Sequence, residues 1–287
     1  MAVANFFWHG SDLSLYERVS LKSFVKHNFV VNIYSFHKLS KIEGVNNLDA
    51  REILPEESLY KYTHNNKNGC LAAFSDEFRI YLMKKKCGWW FDIDIICLKD
   101  ASEFDNLDNN KKILVGYECE DNIANGILKI NDQTIIEDII NKIKLSGTKF
   151  NWGTIGPKLI KDIVIEKNIQ KEVFKQNIFF PINYTNFYYL FMPEKLNNMK
   201  LLFRNSYTCH FYNEILSRFS YPKNVLPPKG SFVYNLFLEN DKDLLDIISL
   251  PVDTFLRLVG KKRGSTSFSE HVVDLWPSFL RLLKNKF

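Results

Sequence analysis

Along the first hundred residues the apolar positions change period several times, and each change marks an element. Residues 2–8 (AVANFFW) form a short apolar run of strand length. Residues 13–27 set Leu15, Val19, Lys22 and Val25 down one helix, and 29–36 read as a second strand. Strand, helix and strand at this spacing predict a parallel βαβ unit, with a ligand outside the carboxyl ends of the strands. Phe7, Trp8, His9 and Gly10 stand at such an end, where an indole can stack on a base or fill core. Residues 48–54 predict another short strand, and 64–69 (HNNKNG) a turn-rich loop. Leu71, Phe74, Phe78 and Leu82 then recur near helical spacing up to Gly88, where a left-handed residue is needed, so 72–86 reads as a helix. Residues 89–96 (WWFDIDII) read as one buried strand.

Beyond it, 99–112 is polar and reads as loop, 113–117 as a strand, 118–126 as a polar turn before the apolar run 127–130, and 135–145 as a helix. Pro157 can open the next helix, 179–183 predicts a strand, and 186–192 (NFYYLFM) predicts aromatic core.

Charged residues on these elements suggest chemistry. Asp76 and Arg79, three apart on a helix, emerge side by side, able to pair or to reach one ligand together. On a continuous strand Asp92 and Asp94 share a face opposite Phe91, Ile93 and Ile95. Two such carboxylates repel and resist burial, which calls for a positive partner. Mg²⁺ or Mn²⁺ fits, since carboxylate oxygens leave coordination positions for substrate phosphates, and a diphosphate held there is a better leaving group.

The window SDEFRIYLMKKKCGWWFDIDIICLK resembles the sugar-binding DXD region of retaining glycosyltransferases related to α-1,4-galactosyltransferases and to bacterial capsular, mannosyl- and toxin-type sugar transferases. Ser75, Asp76, Arg79, Gly88, Asp92 and Asp94 match in order and spacing, and Cys87 stands where a first glycine is usual. The resemblance implies an α/β, glycosyltransferase A-type (GT-A) fold, a Rossmann-like nucleotide lobe fused to an acceptor lobe. It implies a metal-dependent, retaining transfer of a hexose from a nucleotide diphosphate sugar, of UDP-galactose type, to a hydroxyl of a surface glycan or lipid-linked saccharide. Asp94 would ligate the metal, Asp92 would bridge ribose, sugar hydroxyl and metal water, and Asp76 and Arg79 would grip the donor sugar, with Phe7 and Trp8 bordering the base. An Asn-containing turn near the donor sugar points to Asn125, and the Gly-Pro segment near the acceptor pocket points to Trp152, Thr154 and Gly156. His210, Tyr212 and Asn213 match a C-terminal His-x-aromatic-Asn element in which the imidazole can be a further metal ligand.

Composition adds limits. The 287 residues, 46% hydrophobic and free of repeats or linkers, suit one catalytic unit over 1–250, with lobes at about 1–115 and 116–250, and a tail over 251–287. That tail carries seven Lys and Arg against three acids and two amphipathic patterns, one of them Val272, Leu275, Trp276, Phe279 and Leu283. It can pack on the catalytic unit or lie on an anionic membrane. No apolar run approaches the roughly 20 residues of a membrane span, and five cysteines without metal spacing suit free thiols, so a cytoplasmic protein, peripheral at the inner membrane face, is the expectation. Nucleic-acid binding has no module behind it. Two rivals remain: a non-catalytic glycan- or nucleotide-binding subunit, and a phosphatase of the haloacid dehalogenase type, which would need its DxD strand near the N-terminus.

Overall fold

The computed structural model describes residues 2–64, 67–86, 88–148 and 153–261. β1 (Val3–Trp8), α1 (Leu15–Lys26) and β2 (Val30–Ser35) form the predicted βαβ unit, with β1 and β2 parallel from Val3 opposite Val30 to Trp8 opposite Ser35. Ser14 caps α1, and Glu17 reaches back to the Ser14 N–H to complete a capping box. β3 (Val45–Asp49) extends the sheet in parallel beside β2. The strand expected over 48–54 thus starts earlier and stops sooner, because Asp49 turns its carboxylate onto Arg51 N and caps a 3₁₀ turn.

A small hairpin, β4 (Thr63–His64) with β5 (Lys67–Asn68), leads into α2 (Leu71–Lys85), the predicted helix. Gly88 has φ +122°, and a Cβ there would lie 2.8 Å from Val3 O, so the turn into the sheet needs glycine. The single strand expected next is two. β6 (Trp89–Phe91) runs parallel to β1, whereas β7 (Ile95–Cys97) leaves the sheet and pairs antiparallel with β10 (Thr208–His210). Asp92 N closes the sheet ladder on Gly126 O at 2.7 Å, and Ile95 N turns back to Asp92 O at 3.2 Å. Asp92 and Asp94 therefore lie in a break, and strand alternation does not set their directions.

The polar stretch read as loop contains α3 (Ala101–Asp108), a surface helix with a capping box of Asp100 and Glu103 and only Ala101 and Phe104 buried. β8 (Ile113–Cys119) and β9 (Asn122–Ile130) form an antiparallel hairpin, and β9 also pairs with β6. Asn125 thus belongs to a strand rather than a turn. The sheet order is β3-β2-β1-β6-β9-β8. α4 (Gln133–Leu145) and α5 (Pro157–Glu166) join α2 over one face, their isoleucines merging into a core with Phe74, Phe78 and Trp90.

α6 (Gln176–Phe179) replaces the strand expected over 179–183, its Phe179 pressed onto Trp89 and Phe104. α7 (Leu196–Phe203), α8 (Asn213–Arg218), α9 (Phe232–Asn240) and α10 (Val252–Leu258) surround a second core that includes Phe187, Tyr188, Leu190 and Phe191, as expected for 186–192. Phe255 of α10 stacks on Phe191 at 4.7 Å, so the tail packs on this lobe as far as it is described; Lys262, Arg263 and the pattern around Trp276 lie outside the described residues. The expected α/β architecture is present: a parallel-rich sheet joined to a second lobe. A lobe boundary near 115 would divide β8, whose ladder ties it to the sheet. No helix among the described residues is long and apolar enough to cross a membrane.

Candidate active site

At the carboxyl end of β6, α2 and β9 bring four polar side chains together. Arg79 is 4% exposed and lies 3.3 Å from both Asp76 Oδ1 and Asp92 Oδ1. Its guanidinium also donates to Asn125 O at 2.5 Å and to Ser75 O at 3.1 Å, and it sits over the Trp90 ring at 4.8 Å. Asn125 Nδ2 donates to Asp76 Oδ1 at 2.8 Å, and Trp90 Nε1 to Asp92 Oδ1 at 2.9 Å. The Asp76–Arg79 pair is buried, unlike a solvated helix ion pair. Burial raises the pKa of Asp76 above its ordinary value despite the opposing pull of Arg79 and Asn125, and Asp92 adds to the rise.

Two glycines shape the space around these carboxylates. A Cβ on Gly156, at the start of α5, would stand 2.2 Å from Asp76 Oδ2, and one on Gly126 would stand 2.6 Å from Asp92 Oδ2. Both backbones approach because no side chain intervenes.

Asp94 faces other partners. Its Oδ2 lies 2.9 Å from His210 Nε2 and accepts from Asn213 N at 2.6 Å, while its carbonyl accepts from Phe211 N at 3.1 Å. The β7–β10 ladder, with His210 opposite Ile95, sets this meeting. Burial opposes ionisation of Asp94, but His210 and the Asn213 N–H outweigh it and hold the carboxyl below its ordinary value. Burial likewise opposes charge on His210, but Asp94 overrides it and raises the imidazole, with Asp92 and Glu118 adding smaller contributions. The Tyr212 ring lies 4.1 Å from the imidazole and fixes its plane.

Residues 130–226, about a third of the chain, match the family model described as the alpha 1,4-glycosyltransferase conserved region. The match contains His210 and Gly156, which the structure sets against Asp94 and Asp76. That segment is similar to a glycosyltransferase region. Among solved structures, the PaToxG glycosyltransferase is similar at 16% identity (58% of this chain, 68% of that one, TM-score 0.43). The apo structure of the bifunctional glycosyltransferase WbbM is similar at 12% identity (86% and 50%, TM-score 0.47). The galactosyltransferase LgtC, in complex with donor and acceptor sugar analogs, is similar at 11% identity (85% and 97%, TM-score 0.47). Likenesses this distant add no weight to the sequence match. No curated protein sequence matches the chain.

The remaining expected site residues are spread over several elements. Phe7 is 7% exposed and commits its ring to Phe74 and Phe78, 5.1 and 4.8 Å away, in the core. Trp8 is half-buried, its Nε1 donating to Asp12 O at 3.1 Å and its ring 5.9 Å from Lys223 Nζ. Thr154 is half-buried, Gly156 abuts Asp76, and Trp152 lies outside the described residues. Trp90, Glu17 and Lys223 escaped sequence reasoning. Trp90 reads as core, Glu17 as a helix cap, and Lys223 has no pattern around it.

The spacing of Asp94 and His210 is compatible with a shared divalent cation as well as with their ion pair. Adjacent ligands of an octahedral ion with bonds of about 2.1 Å are about 3.0 Å apart, close to the 2.9 Å between Asp94 Oδ2 and His210 Nε2. No cluster of three or more His, Cys, Asp or Glu side chains forms a cage among the described residues. If those two atoms held such an ion, positions would remain for phosphate and water.

Proposed function

We propose that the protein is a metal-dependent, retaining hexosyltransferase that takes a nucleotide diphosphate sugar, of UDP type, and delivers the sugar to a hydroxyl of a glycan or glycolipid. The observation that carries the reading is the paired geometry: Asp76, Arg79, Asn125 and Asp92 converge on one side of the β6–β7 break, and Asp94 with His210 on the other. Three carboxylates share one guanidinium and one imidazole, a deficit of positive charge that favours a divalent cation and disfavours a diphosphate without one.

Asp94 Oδ2 and His210 Nε2 would hold Mn²⁺ or Mg²⁺, which when bound neutralises charge developing on the departing diphosphate. Asp92, fixed by Trp90 and Arg79, retains a partly exposed carboxylate able to accept from ribose and sugar hydroxyls. Asp76, buried and pinned by Asn125, orients the sugar ring, and Arg79 keeps both carboxylates in register by setting one guanidinium nitrogen between them. The reading assigns no carboxylate as covalent nucleophile, so the acceptor hydroxyl attacks on the face the diphosphate leaves, passing its proton to the departing phosphate oxygen. The basic tail would hold the enzyme near lipid-linked acceptors on an anionic membrane.

A panel of UDP- and GDP-sugars, assayed for hydrolysis with and without Mn²⁺, tests this reading. Metal-dependent release of one hexose with its configuration retained supports it. Turnover unaffected by chelators would refute the metal dependence, and an inverted product would refute the stereochemistry.

A further inference from the structure

Glu17 is fully buried, and the proposed reaction gives it no part. Its Oε2 accepts from Ser14 N at 2.9 Å, which the capping box explains. Its Oε1 does what no cap requires, accepting from Asn213 Nδ2 at 2.9 Å and from Lys223 Nζ at 2.8 Å. An exposed glutamate would cap α1 as well, whereas burying the carboxylate costs several kcal/mol that its pairing must offset.

Asn213 is the link to the site. Its N–H donates to Asp94 Oδ2, the oxygen 2.9 Å from His210 Nε2. Tyr212 before it has φ +57°, the left-handed region that bulky residues rarely adopt, and this turn aims the Phe211 and Asn213 N–H groups at Asp94. Such a turn persists only where its surroundings hold it. Tyr212 OH is tied to Ile182 O at 2.6 Å on one side, and the Asn213 amide to Glu17 on the other. The amide has one workable orientation, since flipping it would set its oxygen against the Glu17 carboxylate.

We propose that Glu17 is a positioning residue for the metal-ligating carboxylate: through Asn213 it fixes where Asp94 Oδ2 stands. The proposal rests on the metal-dependent reading above. Partners that orient a ligand in this way change metal affinity about 10- to 100-fold when lost. The double variant Glu17→Met/Lys223→Met removes the anchor together with its partly exposed counter-charge, so no unpaired charge is left behind. Asn213→Ala cuts the same link and keeps the backbone N–H. Mn²⁺ binding in the presence of UDP, followed by loss of the free-ion electron paramagnetic resonance signal, reads the effect without turnover.

Both variants should weaken Mn²⁺ binding about 10- to 100-fold with native circular dichroism, the methionine variant melting somewhat lower for loss of the α1 cap, and combining them should weaken binding little further, because they break one chain of contacts. Wild-type Mn²⁺ affinity in both would overturn the proposal. So would a loss confined to the double methionine variant, which would trace the effect to the Lys223 charge. Wild-type protein that binds no Mn²⁺ would instead overturn the metal-dependent reading, and the proposal with it.

Discussion

Gly156→Ala places the smallest possible side chain against the site. Its Cβ would lie 2.2, 2.6 and 2.7 Å from Oδ2, Cγ and Oδ1 of Asp76, and real Cβ atoms essentially never come within 3.0 Å of a neighbour. Rotating one oxygen away does not help, because all three carboxyl atoms are inside the limit. Either the carboxyl or the start of α5 must retreat by roughly 0.8 Å, the gap between 2.2 and 3.0 Å, and overpacking of this kind costs about 1–3 kcal/mol. In proteins of this general size each kcal/mol shifts the melting temperature by roughly 2–4 °C, so a fall of several degrees is expected. A displacement near 1 Å in a group that orients substrate costs about 10²-fold in rate, so kcat/KM for sugar-nucleotide hydrolysis should drop by that order. Gly126→Ala is the informative companion. Its Cβ comes 2.6 Å from Asp92 Oδ2 but 3.3 Å from Cγ, and the Asp92 side chain is 32% exposed, so Oδ2 can turn aside while Oδ1 keeps Trp90 and Arg79. It should lose activity with a smaller thermal penalty. Calorimetry and steady-state kinetics on both variants decide it: a Gly156→Ala enzyme with wild-type melting temperature and kcat/KM would refute the placement of Asp76 against α5 and the role built on it.

Three further outcomes follow from the same contacts. Arg79→Lys keeps the charge but cannot serve Asp76, Asp92, Asn125 O and Ser75 together, so kcat/KM should fall about 10- to 100-fold, and retained activity would remove Arg79 from the donor site. Asp94→Ala should cut metal-stimulated turnover at least about 10²-fold with circular dichroism unchanged, and near-normal rates at saturating Mn²⁺ would count against metal ligation. For Asp76 the sign is set by its raised pKa: protonation favours the folded state, a contribution present below the ordinary carboxylate value and lost as pH rises through the raised one. Asp76→Asn should therefore melt no lower than wild type at pH 7 while losing activity, and wild type should gain on it as pH falls toward 4; the opposite trend in paired thermal scans would show that Arg79, not burial, governs this carboxyl.

The parts of the fold that were legible are those where burial is one-sided and periodic. Residues 2–36 alternate between strand and helix periods cleanly, and Phe74, Phe78 and Leu82 mark the buried face of α2. α3 was hidden because a surface helix that buries Ala101 and Phe104 alone has almost no apolar stripe to show. The strand through Asn125, where a turn was expected, was hidden for a different reason: polar residues there continue β9 because its backbone pairs with β8. Of the candidate site, Asp76 with Arg79 could be reasoned from spacing, whereas the approach of His210 to Asp94 spans more than a hundred residues of chain and came from resemblance alone. Glu17 was hidden inside a local explanation, since its place in a capping box accounts for the residue without asking where the second oxygen goes.

The least legible feature is the break between β6 and β7, and it has a physical logic. WWFDIDIIC is apolar enough to read as one strand, and on one strand two carboxylates two residues apart would crowd a single face with nothing between them. Leaving the sheet after Phe91 resolves that conflict by giving each acid its own partners: Asp92 keeps Arg79 and the Trp90 indole, and Asp94 is carried to His210 and the Asn213 N–H. The same departure lets β7 pair with β10, and that ladder is what joins the DxD stretch to the segment matched by the glycosyltransferase family model. Two parts of the sequence that carry the likeness separately thus meet in space through one antiparallel pairing of three residues. A shift of that register by one residue would turn His210 to the opposite face and take the imidazole from Asp94, so the position of the proposed cation is fixed by strand register as much as by the acids themselves.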